Sequence, residues 1–342
     1  LPDQSSPEVA IIVATYFPIK EFFVKQLASF RNQTYQNWIC LIVDDCSSDE
    51  SFEETCKLID DDPRFKIYRN EKNLGPYYTF ERGLKELPES VELITLSDQD
   101  NIWLPDFLQI LVQEIKSDDS LTLVHADLEN IDENDNIINK SCWALEKRSV
   151  HIYRPEFLIL RNVITGGSMI IKRQSLKWIL PFPVIKPPYN SFIFHDLWIA
   201  LVCSLIGNIR AIPKTVIQYR QHSGNIVGSF NRSGLISRLK VKGLKKCFNW
   251  IFGTCLLSLE ARILLFQFLT KRQEEINEFV KSGLKASQNK LSEKQMTTYA
   301  LEAAFTGYNL HNLPFILLIG SILLSLGPSS FKDHLRKNFK FE

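Results

Sequence analysis

"NWICLIVDDCSSDES", residues 37–51, passes from a polar start through an unbroken apolar run, Trp38 to Val43, into two aspartates and then two serines ahead of further acids. An apolar run without polar alternation reads as a strand buried on both faces. Ser47 and Ser48 are candidate caps for a helix over about 49–60. The same pattern recurs around it. "EVAIIVATY" (8–16) predicts a strand over 8–15, and Phe22, Phe23, Leu27 and Phe30 fall at helical spacing over 19–33. "RFKIYRN" (64–70), "LGPYYTFERGLKEL" (74–87) and "VELITLS" (91–97) then predict strand, helix and strand. Strands separated by helices of this length imply βαβ units and a mostly parallel sheet covered on both sides, with right-handed crossovers aligning the strand carboxyl ends along one edge.

With 342 residues, 45% hydrophobic and 23% charged, the chain can bury a sizeable core. Its net charge of +1 gives no general attraction to nucleic acid. Acids crowd between Asp44 and Asp62, whereas Leu197 to Leu259 contains no Asp or Glu, a gap that points to an anionic partner such as a membrane surface. The seven cysteines form no C-x-x-C pair, which fits free thiols in a reducing compartment. The amino end lacks a basic stretch followed by a long apolar core, so no secretory signal is read there, and a cytoplasmic location is expected. Because the first residue is not Met, a processed or excised piece of a larger multidomain chain is one expectation, and a homo-oligomer another.

Ligands of open α/β sheets bind outside the carboxyl ends of the strands. Three predicted strands end in polar clusters: Thr15-Tyr16, Asp44-Asp45 and Asp98-Gln99-Asp100. Carboxylates gathered on one edge repel one another unless a cation joins them. A hard divalent ion, Mg²⁺ or Mn²⁺, with the rest of its oxygens from phosphate and water, resolves the conflict and implies a metal-bound diphosphate. Neither G-x-x-x-x-G-K-[ST] nor G-x-G-x-x-G follows the first strand, which disfavours a P-loop nucleotidase and a dinucleotide dehydrogenase.

The segments at 9–51 and 70–84, with "LSDQDNIWLPDFL" (96–108), together resemble the inverting family 2 glycosyltransferases, whose GT-A fold is a Rossmann-like mixed α/β sheet flanked by helices. The likeness runs over about 8–230, through "TGGSMIIKR" (165–173) and the segment 194–225. "SDQDNIWLP", "HDLW" and "YRQHSGN" most resemble the bacterial rhamnosyltransferase-like branch, which builds O-antigen, capsule and related surface polysaccharides. The resemblance implies an enzyme moving a sugar from a UDP- or dTDP-sugar to a glycan or lipid-linked oligosaccharide. In it, Thr15 and Tyr16 line the base, Asp45 accepts from the base N3–H beside Asp44, and Asn73 and Gly75 approach the nucleotide. Asp98 faces the ribose side, Asp100 binds the metal, and His222 is a further metal ligand. Asp196 is the catalytic base and His195 orients it. Trp103, Gly166, Gly167 and Arg220 are expected as sugar, acceptor or diphosphate contacts.

Past residue 230 the likeness thins, giving an expected catalytic domain over 1–230 and a helical region over 231–342. "LKKCFNWIFGTCLLSLEARILLFQFL" (244–269) places Leu244, Phe248, Ile251, Cys255 and Leu259 on one helical stripe, preceded by Arg232, Arg238, Lys240 and Lys242. That combination suits peripheral docking on an anionic leaflet, at the inner face of the cytoplasmic membrane, or packing on the domain. A further helix is expected over 291–310, and "LPFILLIGSILLSLG" (313–327) is shorter than the ~20 residues of a spanning helix. The other reading kept open is a non-catalytic sugar-nucleotide-binding subunit of a polysaccharide assembly complex.

Overall fold

The computed structural model describes residues 7–148, 150–159, 161–222 and the helix 244–283, without the side chains at 156, 244–257, 259 and 280–283. The apolar runs become β1 (Val9–Thr15), β2 (Trp38–Asp44), β3 (Phe65–Arg69) and β4 (Leu93–Ser97), separated by α1 (Lys20–Arg31), α2 (Asp49–Ile59) and α3 (Gly75–Lys85). Ser48 caps α2 by accepting from the Ser51 amide, as its position in the sequence implied. All four strands are parallel, and the register pairs Thr15 with Asp44 and Val13 with Ser97. Their carboxyl ends therefore meet along one edge.

Beyond β4 the sheet ceases to be parallel. The remaining elements are β5 (Ile102–Trp103), α4 (Phe107–Lys116), β6 (Leu121–Ile131), β7 (Ile137–Asn139), α5 (Cys142–Glu146), α6 (Pro155–Leu158), β8 (Met169–Lys172), α7 (Leu176–Ile179), α8 (His195–Ile206), β9 (Asn208–Arg220) and α9 (Leu244–Gly283). The nine-stranded sheet has the order β3-β2-β1-β4-β8-β6-β9-β5, with β7 beside β6. Strand β8 runs antiparallel to both β4 and β6, while β6 and β9 are parallel.

Side chains alternate across the sheet with period two. Val9, Ile11 and Val13 point into the core under α1 and α4, with Phe23, Leu27, Phe107 and Leu111. Ala10 and Ile12 point into the opposite core, with Phe80, Leu84, Trp198 and Leu201. Helix α9 packs on α8. It buries Ala261, Leu265 and Leu269 at i, i+4, i+8, and Glu260 accepts from Tyr189 Oη at 2.8 Å. This stretch of α9 therefore covers the protein rather than a membrane. The stripe Leu244–Leu259, the bases at 232–242, the helix expected over 291–310 and the apolar segment 313–327 lie outside the described side chains. Among the described residues, no helix is long and apolar enough to cross a membrane. Cys40, Cys46, Cys56, Cys142 and Cys203 are free thiols.

Candidate active site

A cleft of about 720 Å³ opens over the carboxyl edge of β1, β2 and β4. Thr15, Tyr16, Asp45, Asn73 and Gly75 line one part of it; Asp98, Asp100, Gly166, His195, Asp196 and His222 line the rest. Thr15, Asp45, Asp98 and Asp100 meet there because the strand ends share one edge, and the amino end of α8 and the turn before β8 bring in Asp196, His195 and Gly166.

Adjacent aspartates on a strand end face opposite ways, and Asp44 and Asp45 separate accordingly. Asp44 does not line the cleft. Its carboxylate accepts from Ser47 Oγ at 2.6 Å and the Ser47 amide at 3.0 Å, with Arg69 Nε at 3.6 Å. Asp45 lies between the cleft and α3: Oδ1 accepts from the Leu74 amide and Asn70 Nδ2, and Oδ2 from the Gly75 amide at 2.8 Å. A carboxylate at the amino end of α3 satisfies amides that the helix itself leaves unpaired. Gly75 has φ +77°, the left-handed region that a side chain would strain.

Gln99, between the two motif aspartates, holds the loop after β1. Its Oε1 accepts from the Tyr16 amide at 2.7 Å, and its Nε2 donates to the Tyr16 carbonyl at 3.1 Å. Sequence reasoning gave Gln99 no role, although it stands inside the quoted motif. The Tyr16 ring remains 47% exposed and meets Phe17 edge-on at 4.7 Å.

Burial and the neighbouring charges of Asp100 and Asp196 push the Asp98 carboxyl up to about 7. Burial also raises Asp100, opposed by His222. His222 Nε2 lies 2.9 Å from Asp100 Oδ2, and Asp100 Oδ1 is buried with no hydrogen-bond partner. An orphaned carboxylate oxygen beside an imidazole nitrogen suits a divalent ion. No cluster of three or more metal-ligating side chains occurs among the described residues, so diphosphate and water would complete the coordination.

Asp196 is the second residue of α8, and its Oδ1 accepts from the Leu197 amide at 2.6 Å. Burial lifts it to about 6, against the Leu197 amide, the charge of Arg148 and the Gly166 amide. His195 stacks on Phe80 with ring centroids 3.9 Å apart, and burial lowers it to about 3, so its imidazole is neutral. A Cβ on Gly166 would stand 2.6 Å from His195 Nε2. Gly166→Ala must therefore displace the ring beside Asp196, at an expected cost of about 1–3 kcal/mol. The checks are a lowered melting temperature and a lowered turnover number with nucleotide affinity retained.

Three expected contacts fall elsewhere. Trp103 is 2% exposed, wedged between Phe30 at 4.4 Å and Phe107 at 4.1 Å, so it belongs to the core and stacks on no ligand. Arg220 is wholly buried. It donates to the backbone oxygens of Asp100 and Asp132 at 3.0 Å and pairs with Asp135, bracing the Asp100 loop rather than entering the cleft. Gly167 does not line the cleft, and nothing lies within 4 Å of where its Cβ would be. Conversely, Glu146, Arg148 and Asn162 line the cleft, although their segment carries no sequence motif, and so does Thr165, to which sequence reasoning gave no role.

Residues 10–179 match the family described as Glycosyl transferase family 2. The protein is a glycosyltransferase, and residues 10–179 carry its likeness to that family. The glycosyltransferase is 24% identical over 253 residues to an uncharacterized glycosyltransferase of Haemophilus influenzae, covering 70% of this chain and 73% of that one. It is also 23% identical over 247 residues to an uncharacterized glycosyltransferase of Methanocaldococcus jannaschii, covering 71% and 78%. Among solved structures, S. aureus TarS 1-349 in complex with UDP-GlcNAc superimposes with TM-score 0.52 at 14% identity, over 89% of the glycosyltransferase and 74% of TarS 1-349. That likeness concerns the fold, which is GT-A.

Proposed function

We propose that the protein is a metal-dependent inverting glycosyltransferase that moves a sugar from a UDP- or dTDP-sugar to a hydroxyl of a glycan or lipid-linked oligosaccharide. The observation that supports this best is the shared cleft, lined by Asp98, Asp100, His222 and Asp196 together with the nucleotide-side residues Asp45, Asn73 and Gly75. The likeness of "SDQDNIWLP" and "YRQHSGN" to the rhamnosyltransferase-like branch favours surface-polysaccharide synthesis, with residues 1–230 as catalytic domain and 231–342 as a helical region that meets a membrane or partner.

The reaction needs an acceptor oxygen to attack the anomeric carbon as the bond to the diphosphate breaks on the opposite face. Asp196 takes the proton of the acceptor hydroxyl, and its carboxyl near 6 keeps it mostly ionised at neutral pH yet basic enough to hold that proton. Neutral His195, stacked on Phe80, adds no positive charge beside Asp196 in the chain. Thr15, Tyr16 and Asp45 receive the base, and Asp98 the ribose. Asp100 and His222 would hold Mg²⁺ or Mn²⁺, which when bound neutralises charge developing on the departing diphosphate.

The test is release of nucleoside diphosphate from a panel of UDP- and dTDP-sugars with Mg²⁺ or Mn²⁺. Turnover of a donor, lost in chelator and restored by added ion, is the expected result. Absence of both turnover and nucleotide binding would remove the donor-site reading, whereas binding with no turnover for any acceptor would favour the non-catalytic subunit.

A further inference from the structure

We propose that the cleft wall formed by Glu146 and Arg148 is a subsite for an uncharged sugar, binding a pair of neighbouring hydroxyls beside Asp196. The proposal rests on the glycosyltransferase reading above and adds the residues that read the saccharide.

Arg148 is held in place before any ligand arrives. Its Nη1 donates to the Val163 carbonyl at 3.1 Å and to Thr165 Oγ1 at 2.8 Å, and its Nε donates to Glu146 Oε2 at 2.9 Å. The Arg148 amide donates to the Trp143 carbonyl at 2.9 Å, at the end of α5, where Lys147 turns the chain with φ +52°. The side chain is 12% exposed, yet it lines the cleft. Its charge is felt by Asp196, and the segment it holds, Val163 to Thr165, leads directly into Gly166 against His195. This wall therefore flanks the proposed base.

Two groups of the pair are left for a ligand. Nη2 of Arg148 and Oε1 of Glu146 make no protein hydrogen bond in the structure, while Nε and Oε2 are taken by the pair itself. A guanidinium edge offers only donors and a carboxylate only acceptors. Adjacent sugar hydroxyls, each able to donate and accept, satisfy both at once. Because the pair is electrically neutral, nothing in it favours an anionic sugar, and Glu146 opposes one. Asn162 extends the polar wall, and Ile164 and Phe194 give apolar surface for the carbon face of a ring.

Such hydroxyls come either from the sugar being transferred or from the acceptor sugar. Titrations of UDP, UDP-glucose, UDP-glucuronate and methyl β-D-glucopyranoside, with Mn²⁺ present, separate the two for wild type, Arg148→Met, Arg148→Lys and Glu146→Gln. If the transferred sugar is read here, all three variants weaken UDP-glucose by about tenfold and leave UDP unchanged, since a lysine cannot replace the fixed fork. If the acceptor sugar is read, the variants lose methyl glucoside binding to the UDP-loaded protein and keep UDP-glucose. The proposal is overturned if UDP and UDP-glucose weaken equally, if no saccharide ligand responds, or if UDP-glucuronate binds wild type better than UDP-glucose. A wild type that binds no UDP counts against the donor reading alone, and methyl glucoside titrated into the protein without UDP then decides the subsite. Melting temperatures within a few degrees of wild type exclude loss of the fold.

Discussion

Asp196→Asn is expected to lower the rate of sugar transfer by roughly 10²–10⁴-fold, the range for removal of a general base, while nucleoside diphosphate affinity stays at the wild-type value. The substitution keeps shape and the carbonyl oxygen that accepts from the Leu197 amide, so α8 retains its amino-terminal bond. It removes the capacity to take a proton. The pH dependence follows from the same group. A base raised to about 6 by burial is protonated and inactive below that pH, so log kcat/KM should rise with unit slope up to about 6 and level off above it, the bend being broadened toward about 7 because its neighbour Asp98 titrates with it. In Asp196→Asn the residual rate should lose the part of that acidic limb due to Asp196. Undiminished transfer by Asp196→Asn would remove the residue from the chemistry, and lost nucleotide binding would make it a binding residue instead.

The parallel half of the sheet was legible because each strand is buried on both faces and ends abruptly in charge. Trp38–Val43 followed by Asp44-Asp45 admits few other readings. What the aspartate pair does was not legible, since facing depends on a one-residue alternation that local sequence does not orient. Only the fold turns Asp44 toward Ser47 and Arg69, and Asp45 toward α3. Trp103 and Arg220 were misplaced for a related reason. Both stand beside cleft residues in sequence, but Ile102-Trp103 pairs with Ile217 and Gln218 of β9, which directs Trp103 into the core and brings Arg220 behind Asp100. The insertion of β8 between β4 and β6 joins strands by long connections, and no turn signal announces it. Arg148 was invisible for want of periodicity: its segment is irregular, and its partners lie some fifteen residues further on.

Asp100→Asn should abolish metal-dependent turnover and yet raise the melting temperature of the ligand-free protein by a few degrees above pH 7. The first effect follows from the buried Oδ1, which no protein donor satisfies, and from Oδ2 beside His222. An amide is a poor ligand for a hard dication, so diphosphate affinity should become insensitive to Mn²⁺. The second effect is a matter of linkage. Asp98, at about 7, and Asp196, at about 6, both hold their protons more tightly folded than unfolded, and Asp100 shifts in the same direction. Their contribution to stability is therefore fully present below an unfolded carboxyl value of about 4 and is lost as pH rises through 6 and 7. A neutral residue at 100 escapes that loss itself and removes one of the charges that raise Asp98. Thermal melts of wild type and Asp100→Asn from pH 5 to pH 8 should accordingly diverge as pH increases. Addition of Mn²⁺ with UDP should raise the wild-type melting temperature and leave the variant nearly unmoved, since only a ligand bound to the folded state shifts the equilibrium. If the melts stay parallel across that range, the buried carboxylates do not repel one another in the free protein. The acidic edge would then need no cation to hold it together.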